Sequence, residues 1–235
     1  MTFTVRHNAK WREFGSPGEL ADALAKRIGD ALGEAIALRG QATLAVSGGR
    51  TPRLLFEALS HLAIAWDKVT IVLADERFVP PDDGRSNEKL VRTHLMQDRA
   101  ASAKLLPLYA PEASVEEAAI KADAMVSVLR APLDVVVLGM GPDGHTASFF
   151  PDAKGLDALY VNRDGRSVLP VHAPSAGEPR LTLSMQLLAG ARLVVLHIEG
   201  DERRTILTEA LAKGELPIAR VLSEAASAPQ IYWAD

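Results

Sequence analysis

The sequence predicts an α/β fold in which one open sheet of mostly parallel strands carries helices on both faces. Three observations support this prediction. Short apolar runs typical of buried strands alternate with longer segments whose apolar residues recur at helical spacing. Polar, glycine-rich turns follow several of these runs, as at the carboxyl edge of a parallel sheet. No linker or repeat divides the 235 residues, so we expect a Rossmann-like open sheet in a single domain over 1–235.

Strands and helices alternate along the first part of the chain. The apolar runs predict strands at 3–6, 43–46 and 69–74. Ser16-Pro17-Gly18-Glu19 is a capping box, and it predicts the start of a helix that continues to about Leu38. Further helices are predicted from Pro52, over 87–96, and from a second capping box at Ser114 to about residue 130.

The second part continues the pattern around one irregular region. Strands are predicted at 133–138, 193–198 and, at an edge of the sheet, 230–233. Asp201 is expected to cap a helix that ends near Lys213. Residues 146–180 are rich in glycine and proline, and we expect them to form a lid or a small subdomain of the single domain.

Composition limits the function classes. The formal net charge is −4, from 26 basic and 30 acidic residues, which favours neither a nucleic-acid nor an anionic-membrane partner. The absence of cysteine excludes disulfides, thiol catalysis and thiolate metal sites. No apolar run approaches the roughly 18 residues of a membrane span, and the first residues lack the apolar stretch of a signal peptide. We therefore expect a cytoplasmic protein.

The turn Ser47-Gly48-Gly49-Arg50-Thr51-Pro52 is a candidate anion-binding loop, because it connects a predicted strand to a predicted helix. Gly48 and Gly49 let the backbone turn sharply and bring its N–H groups close to a ligand. The helix that follows presents unpaired N–H groups and a positive dipole end. Hydroxyls of Ser47 and Thr51 and the charge of Arg50 would add to the site. The alternative is a tight turn in which Thr51 only caps the helix.

A second glycine-rich turn, Gly139–Gly144, follows the predicted strand at 133–138 and leads directly to His145. A neutral imidazole can accept a proton from water near pH 7. A carboxylate at its other nitrogen would fix the tautomer and stabilise the imidazolium. Asp143, Asp75 and Glu76 are all candidates for that acid. The other five histidines have no comparable setting, and no metal-ligand spacing occurs, so we expect no metal.

The spacing Gly139-x-Gly141-x-x-Gly144 also fits a dinucleotide-binding fingerprint. That fingerprint requires a full helix and then a second strand before the acidic residue that binds ribose. Pro151 and Gly155 interrupt this span, so we reject a nicotinamide cofactor.

A third polar strand end, Asp75-Glu76-Arg77, suggests that several loops converge on one crevice. Arg77 is a candidate ligand for a phosphate or a carboxylate. Arg180 begins a short apolar stretch, and Arg203 and Arg204 begin the helix after the strand at 193–198. Such arginines are usually solvated charges at the surface. The second interpretation is that one of them binds a phosphate.

Five segments together resemble the family of glucosamine-6-phosphate isomerases and 6-phosphogluconolactonases. They are SGGRTP (47–52), DERFVP (75–80), SN (86–87), GMGPDGHTASFFP (139–151) and PRLT (179–182). The resemblance implies hydrolysis of 6-phosphogluconolactone to 6-phosphogluconate in the pentose phosphate pathway, without a cofactor. It also implies that His145 is the base and that Ser47–Thr51 lies by the phosphate. The family commonly has Lys in a Gly-x-x-Lys turn, where this chain has Gly200-Asp201-Glu202-Arg203, so Arg203 is the candidate phosphate ligand.

The resemblance also distinguishes the activities within the family. In aminosugar-phosphate isomerases the Asp-Gly-His loop typically continues Ile-Ala-Phe-Asn-Glu-Pro, whereas this chain continues Thr146-Ala147-Ser148-Phe149-Phe150-Pro151. The glutamate that would assist ring opening is missing, which favours the lactonase. A sugar-phosphate sensing domain is a third alternative, but residues 1–40 predict one helix and no helix-turn-helix. The expected partner is a sugar-phosphate lactone, and the expected state is a monomer or a small homo-oligomer.

From these arguments we assign two sets of candidate site residues. The catalytic candidates are His145, Asp143 and Asp75. The substrate-binding and phosphate-binding candidates are Ser47, Gly48, Gly49, Arg50, Thr51, Arg77, Gly141, Arg180 and Arg203. The N–H groups of the Gly139–Gly144 turn, or a nearby arginine, are the expected donors to the oxyanion.

Overall fold

The computed structural model describes residues 9–129 and 131–235, and within them it contains ten strands and eight α-helices. The strands are β1 (Lys10–Phe14), β2 (Ala42–Val46), β3 (Val69–Leu73), β4 (Asp75–Arg77), β5 (Lys104–Leu106), β6 (Val135–Leu138), β7 (Val168–Val171), β8 (Arg180–Leu183), β9 (Leu193–Glu199) and β10 (Gln230–Ala234). The helices are α1 (Pro17–Arg39), α2 (Arg53–Ser60), α3 (Asn87–His94), α4 (Val115–Val126), α5 (Leu156–Val161), α6 (Met185–Ala189), α7 (Asp201–Lys213) and α8 (Pro217–Ser223).

Seven strands form one sheet in the order β1-β10-β9-β6-β2-β3-β5, and every neighbouring pair is parallel. All positions of β2 and β6 are buried. Successive side chains on a strand point to opposite faces, so both faces of the central sheet are covered. The predicted fold class, an open and mostly parallel α/β sheet in a single domain, is confirmed.

Helix α1 shows how the local sequence produces this packing. Ser16 Oγ accepts a hydrogen bond from Glu19 N at 3.3 Å, and Glu19 Oε2 accepts one from Gly15 N at 3.1 Å. The predicted start of the helix is therefore confirmed. A stripe of residues at helical spacing is fully buried: Leu20, Leu24, Ile28 and Leu32. This stripe packs α1 on the sheet and on α2.

A second, antiparallel sheet in the order β4-β8-β7 was not predicted. The expectation that 146–180 is irregular is wrong, because this region contains α5 and β7. Asp75–Arg77 likewise pairs with β8 as a short strand. Strands of three or four residues carry too little periodicity to be recognised, and the partner of β4 lies about a hundred residues away in the sequence. The role of 146–180 as a lid stays a prediction.

Some predicted boundaries also differ from the structure. Strand β10 is not at an edge, because the unpredicted β1 pairs with its outer side. Gly200 occupies the capping position of α7, so Asp201 is the first helical residue and does not cap it. Helix α4 ends at Val126, before the expected residue 130. The strand predicted at 3–6 lies outside the described residues.

Both sheets share one hydrophobic core. The largest buried cluster joins residues of the central sheet, such as Leu44 and Ile71, to residues of the second sheet, such as Val168 and Leu181. Among the described residues, no helix is both long and apolar enough to cross a membrane.

Candidate active site

The carboxyl ends of β2, β3, β6 and β9 open into one cavity of about 550 Å³. In parallel α/β sheets this edge is the usual place for a ligand. The cavity is lined by eleven of the twelve candidate residues: Ser47, Gly48, Gly49, Arg50, Thr51, Asp75, Arg77, Gly141, His145, Arg180 and Arg203. The twelfth, Asp143, lies directly behind His145.

The loop after β2 is held against its neighbours by close backbone contacts. Ser47 N donates to Val137 O at 3.0 Å, which fixes the loop beside β6. A Cβ atom on Gly48 would lie 1.8 Å from Asn87 Oδ1, so only glycine fits there. Gly49 has a φ of +103°, a region that favours glycine.

Two polar features of this loop face the cavity without partners. Ser47 Oγ is buried and has no hydrogen-bond partner within the described part of the chain. Helix α2 begins at Arg53, and its N-cap residue is Pro52, which makes no side-chain hydrogen bond, so the alternative in which Thr51 caps the helix does not occur. Arg53 N donates to Arg50 O at 3.4 Å, so the other N–H groups of the first turn of α2 and the Ser47 hydroxyl are the donors available to an anion.

His145 and Asp143 form a close pair. The distance from His145 Nδ1 to Asp143 Oδ1 is 2.5 Å, and His145 N also donates to the same oxygen at 3.2 Å. The imidazole packs on Phe150, with 4.3 Å between ring centroids. A Cβ atom on Gly141 would lie 2.1 Å from His145 Cε1, so the ring occupies the space that this glycine leaves free. An acid at Nδ1 leaves Nε2 as the basic nitrogen.

The two other candidate acids have different partners. Asp75 is 7% exposed, and its Oδ2 accepts a hydrogen bond from Ser148 Oγ at 2.7 Å. Glu76 is fully buried beneath the start of α3, where it accepts hydrogen bonds from Ser86 Oγ and from the N–H groups of Arg77, Asn87 and Glu88. Burial raises the pKa of Glu76, and these hydrogen bonds oppose that rise. Of the three acids, Asp143 is the one in contact with the imidazole.

The N–H groups of the Gly139–Gly144 turn are partly engaged. Gly141 N donates to His145 O at 2.9 Å, and Gly144 N donates to Gly141 O at 3.1 Å. These two groups therefore hold the turn together and are not free to bind an oxyanion, which favours the other expected donor, an arginine.

Arg180 contacts the same aromatic ring as the imidazole. Its guanidinium carbon lies 5.5 Å from the centroid of Phe150, the ring that contacts His145. Arg180 is 8% exposed, and Nη2 donates to Ala176 O at 2.8 Å. Nε has no partner within residues 9–129 and 131–235. Burial lowers the pKa of Arg180, although a guanidinium keeps its proton at neutral pH.

Arg203 and Arg204 have separate environments. Arg203 lines the cavity from the first turn of α7, and its Nη1 donates to Glu202 Oε2 at 2.9 Å. Arg204 turns away from the cavity, pairs with Glu13 at 2.7 Å and lies over the ring of Trp233 at 4.3 Å. The remaining cavity arginines are Arg50 and Arg77, and Arg77 donates to the backbone carbonyl of Arg85.

Sequence reasoning missed three residues of this site. Asn87 packs against Gly48, and Ser148 holds Asp75. His197 was assigned no special setting, yet it lines the cavity, is 3% exposed and has no partner for either ring nitrogen within the described residues. A signal for His197 exists in the sequence. It is an imidazole inside the apolar run LVVLHIE, close to the carboxyl end of a buried strand.

Comparisons with known proteins agree on one family. A family model described as glucosamine-6-phosphate isomerases/6-phosphogluconolactonase matches residues 15–233. The chain is 52% identical over 225 residues to a 6-phosphogluconolactonase of Mesorhizobium japonicum, covering 95% of this chain and 94% of the relative. It is 49% identical over 230 residues to one of Rhizobium meliloti, covering 97% and 99%.

The structure is also similar to a solved structure that carries the name of these relatives. A crystal structure of a 6-phosphogluconolactonase from Shewanella baltica superposes with a TM-score of 0.92 at 36% identity, covering 98% of this chain and 99% of that one.

Proposed function

Because this chain belongs to the family of glucosamine-6-phosphate isomerases and 6-phosphogluconolactonases, we propose that it hydrolyses 6-phosphogluconolactone to 6-phosphogluconate, a step of the pentose phosphate pathway. Relatives that match nearly the whole chain at about half identity carry that name. One observation supports the proposal most directly. The His145–Asp143 pair borders the same cavity as the anion-binding loop and the cavity arginines.

In the proposed complex the phosphate occupies the end of the cavity formed by Ser47–Thr51 and Arg203. The hydroxyl of Ser47, which has no partner among the described residues, and the start of α2, which has no side-chain cap, support this placement. Arg203 supplies charge from the first turn of α7, and Arg77 lies on the cavity lining as a further candidate.

Hydrolysis then needs a base, an oxyanion donor and an acid for the leaving group. His145 Nε2 takes a proton from a water molecule as the water oxygen bonds to the lactone carbonyl carbon. The carbonyl electrons move to oxygen, where Arg180 Nε supplies the hydrogen bond. The carbonyl re-forms as the ring oxygen leaves with the proton from the imidazolium, and Asp143 stabilises that cation throughout. Asp75 orients the bound sugar, and no cofactor or covalent intermediate is needed.

The isomerase or deaminase activity of the family is the main alternative. The loop resemblance aligns the missing glutamate with Phe150, whose ring packs on His145 and supplies no acid or base. Incubation with glucosamine 6-phosphate separates the two activities, because a deaminase releases ammonia and we expect none.

The experiment that tests the proposal is a continuous assay. Glucose-6-phosphate dehydrogenase generates the lactone, and the disappearance of the ester is followed with and without this protein. We expect His145→Ala to lower kcat at least about a hundredfold with KM nearly unchanged, since the base is removed and the binding groups remain. His61→Ala, at an exposed histidine outside the cavity, is the matched control. Full turnover by His145→Ala would remove His145 from the chemistry.

We extend the proposal to a cytoplasmic enzyme, active as a monomer or small homo-oligomer, with no nucleic-acid or membrane partner. The net charge of −4 and the ordinary composition support it. Analytical ultracentrifugation reports the oligomeric state, and activity that survives dialysis against a chelator is the expected result for a reaction without a metal.

A further inference from the structure

A buried histidine that the proposed mechanism does not use borders the cavity. His197 lies on β9, three residues before Gly200, and is 3% exposed. Neither ring nitrogen has a hydrogen-bond partner within residues 9–129 and 131–235. Nε2 lies 3.4 Å from Glu199 Oε1, and this contact is not aligned as a hydrogen bond. Buried polar groups are normally paired, so we expect this imidazole to gain its partner from what the cavity binds.

The sheet register shows where this side chain lies relative to the phosphate loop. The pairing of β2, β6 and β9 places three valines in one row: Val46, Val137 and Val195. Residues two positions further along a strand point to the same face. His197 lies in the next row of β9, and Gly48 and Gly139 follow the ends of β2 and β6 at the corresponding positions. A Cβ atom on Gly139 would meet nothing within 4 Å, so the cavity is open beside this glycine.

The charges around this space indicate which part of a substrate fits it. Strand β2 lies two strand spacings from β9, about 10 Å away. Arg203 lines the cavity from the first turn of α7, four residues after Glu199. A phosphate held between the Ser47–Thr51 loop and Arg203 would lie over Gly139, beside His197. Glu199 and Glu202 also line the cavity, and their carboxylates repel a phosphate. An N–H donor on His197 would offset part of this repulsion.

We propose that His197 is a substrate-binding residue that donates an imidazole N–H to the phosphate group of the bound lactone. This inference rests on the proposed function, because it assigns His197 to the phosphate end of that substrate. In this role His197 increases the preference for phosphorylated over unphosphorylated lactone and takes no part in the proton transfers at His145.

The test compares two substrates in a variant that removes both nitrogens. His197→Leu keeps a buried side chain of similar size and leaves no unpaired polar atom, so we expect it to fold and to melt no lower than the wild type. For 6-phosphogluconolactone we expect KM to rise about tenfold, as for loss of one hydrogen bond to a charged group, with kcat nearly unchanged. For unphosphorylated gluconolactone we expect no change.

Two further variants make the readout specific. His197→Gln keeps an N–H donor on a neutral side chain, and we expect it to restore part of the affinity. His61→Leu, at the exposed histidine outside the cavity, is the matched control and should match the wild type with both lactones. Equal loss with both lactones, or an unchanged KM in His197→Leu, would overturn the role of His197 at the phosphate.

A binding measurement separates this inference from the proposed function. Calorimetric titration with inorganic phosphate needs no turnover, and we expect binding to His197→Leu to be about tenfold weaker than to the wild type. If the wild type fails to hydrolyse the lactone but His197→Leu binds phosphate more weakly, the proposed function fails and the phosphate site stands. If the wild type hydrolyses the lactone and the variant binds phosphate equally well, the inference about His197 fails alone.

Discussion

At the scale of single residues, one missing side chain determines where the catalytic imidazole of the proposed mechanism can lie. The His145 ring occupies the space beside Gly141, where a Cβ atom would lie 2.1 Å from Cε1 and 2.2 Å from Nδ1. Phe150 covers the ring on another side, and Asp143 holds Nδ1. The imidazole is therefore fixed by one apolar contact, one hydrogen bond and one glycine.

Replacing that glycine should displace the base without unfolding the protein. In Gly141→Ala the methyl group would force the ring away from Asp143, so we expect kcat to fall at least about tenfold with little change in KM. Gly18→Ala is the matched control, because a Cβ at Gly18 in α1 would meet nothing within 4 Å. Steady-state kinetics and melting curves of both variants provide the check. An unchanged kcat in a folded Gly141→Ala would show that the position of the ring is not critical.

At the scale of elements, helix α3 begins on a buried carboxylate. Ser86 Oγ accepts a hydrogen bond from Lys89 N at 3.2 Å and donates one to Glu76 Oε2 at 3.0 Å. Asn87, the first residue of α3, packs against Gly48 of the phosphate loop. The start of this helix therefore links a buried acid to the cavity.

A comparison of two serine caps measures how much the bond from Ser86 to Glu76 contributes to the free energy of unfolding. Ser114 Oγ accepts the same capping bond at the start of α4, from Glu117 N at 3.2 Å, and has no further side-chain partner in the part of the chain that the structure describes. We expect Ser114→Ala to lower the free energy of unfolding by about 1 kcal/mol. Ser86→Ala also leaves the buried Glu76 carboxylate short of a donor, so we expect a loss of roughly 2–4 kcal/mol. Denaturant unfolding of both variants checks this, and equal losses would contradict it.

Glu76 itself should give the stability a pH dependence. Burial raises the pKa of Glu76 above its ordinary value, so the folded state binds this proton more tightly than the unfolded state. The contribution of this group to stability is then fully present below the unfolded pKa and is lost as pH rises through the folded pKa. The amide of Glu76→Gln does not titrate, so the stability of this variant does not lose that contribution as pH rises.

We therefore expect the free energy of unfolding of the wild type, minus that of Glu76→Gln, to be larger near pH 4 than near pH 8. Urea unfolding of both proteins over this range measures the difference. A difference that stays constant, or that grows with pH, would show that the hydrogen bonds from α3 outweigh the burial of the carboxylate.

At the scale of the whole molecule, the two sheets share one core, and the chain should unfold in one step. Val168 and Leu181 of the second sheet belong to the same buried cluster as Leu44 of the central sheet. We expect far-ultraviolet circular dichroism and the fluorescence of the three tryptophans to report coincident transitions. Two separate transitions would instead make the second sheet an independent unit.

The sequence determined the elements whose signals are local. The capping box at Ser16, the apolar stripe of α1 and the buried runs of β2 and β6 specify their own conformation, because periodicity and side-chain caps act within a few residues. The same holds for the glycine-rich turn that carries His145, because its glycines directly follow the apolar run of β6. Fold class, the main parallel strands and most candidate site residues followed from such signals.

Only the tertiary structure decided the features that depend on distant partners. The sheet β4-β8-β7 exists because Asp75–Arg77 meets Arg180–Thr182, and three-residue strands have no stability or pattern of their own. The choice of Asp143 over Asp75 and Glu76, the path of Arg204 toward Trp233 and the burial of His197 at the cavity were all open at the level of sequence. Each depends on how strands far apart in the chain align, and no local pattern encodes that alignment.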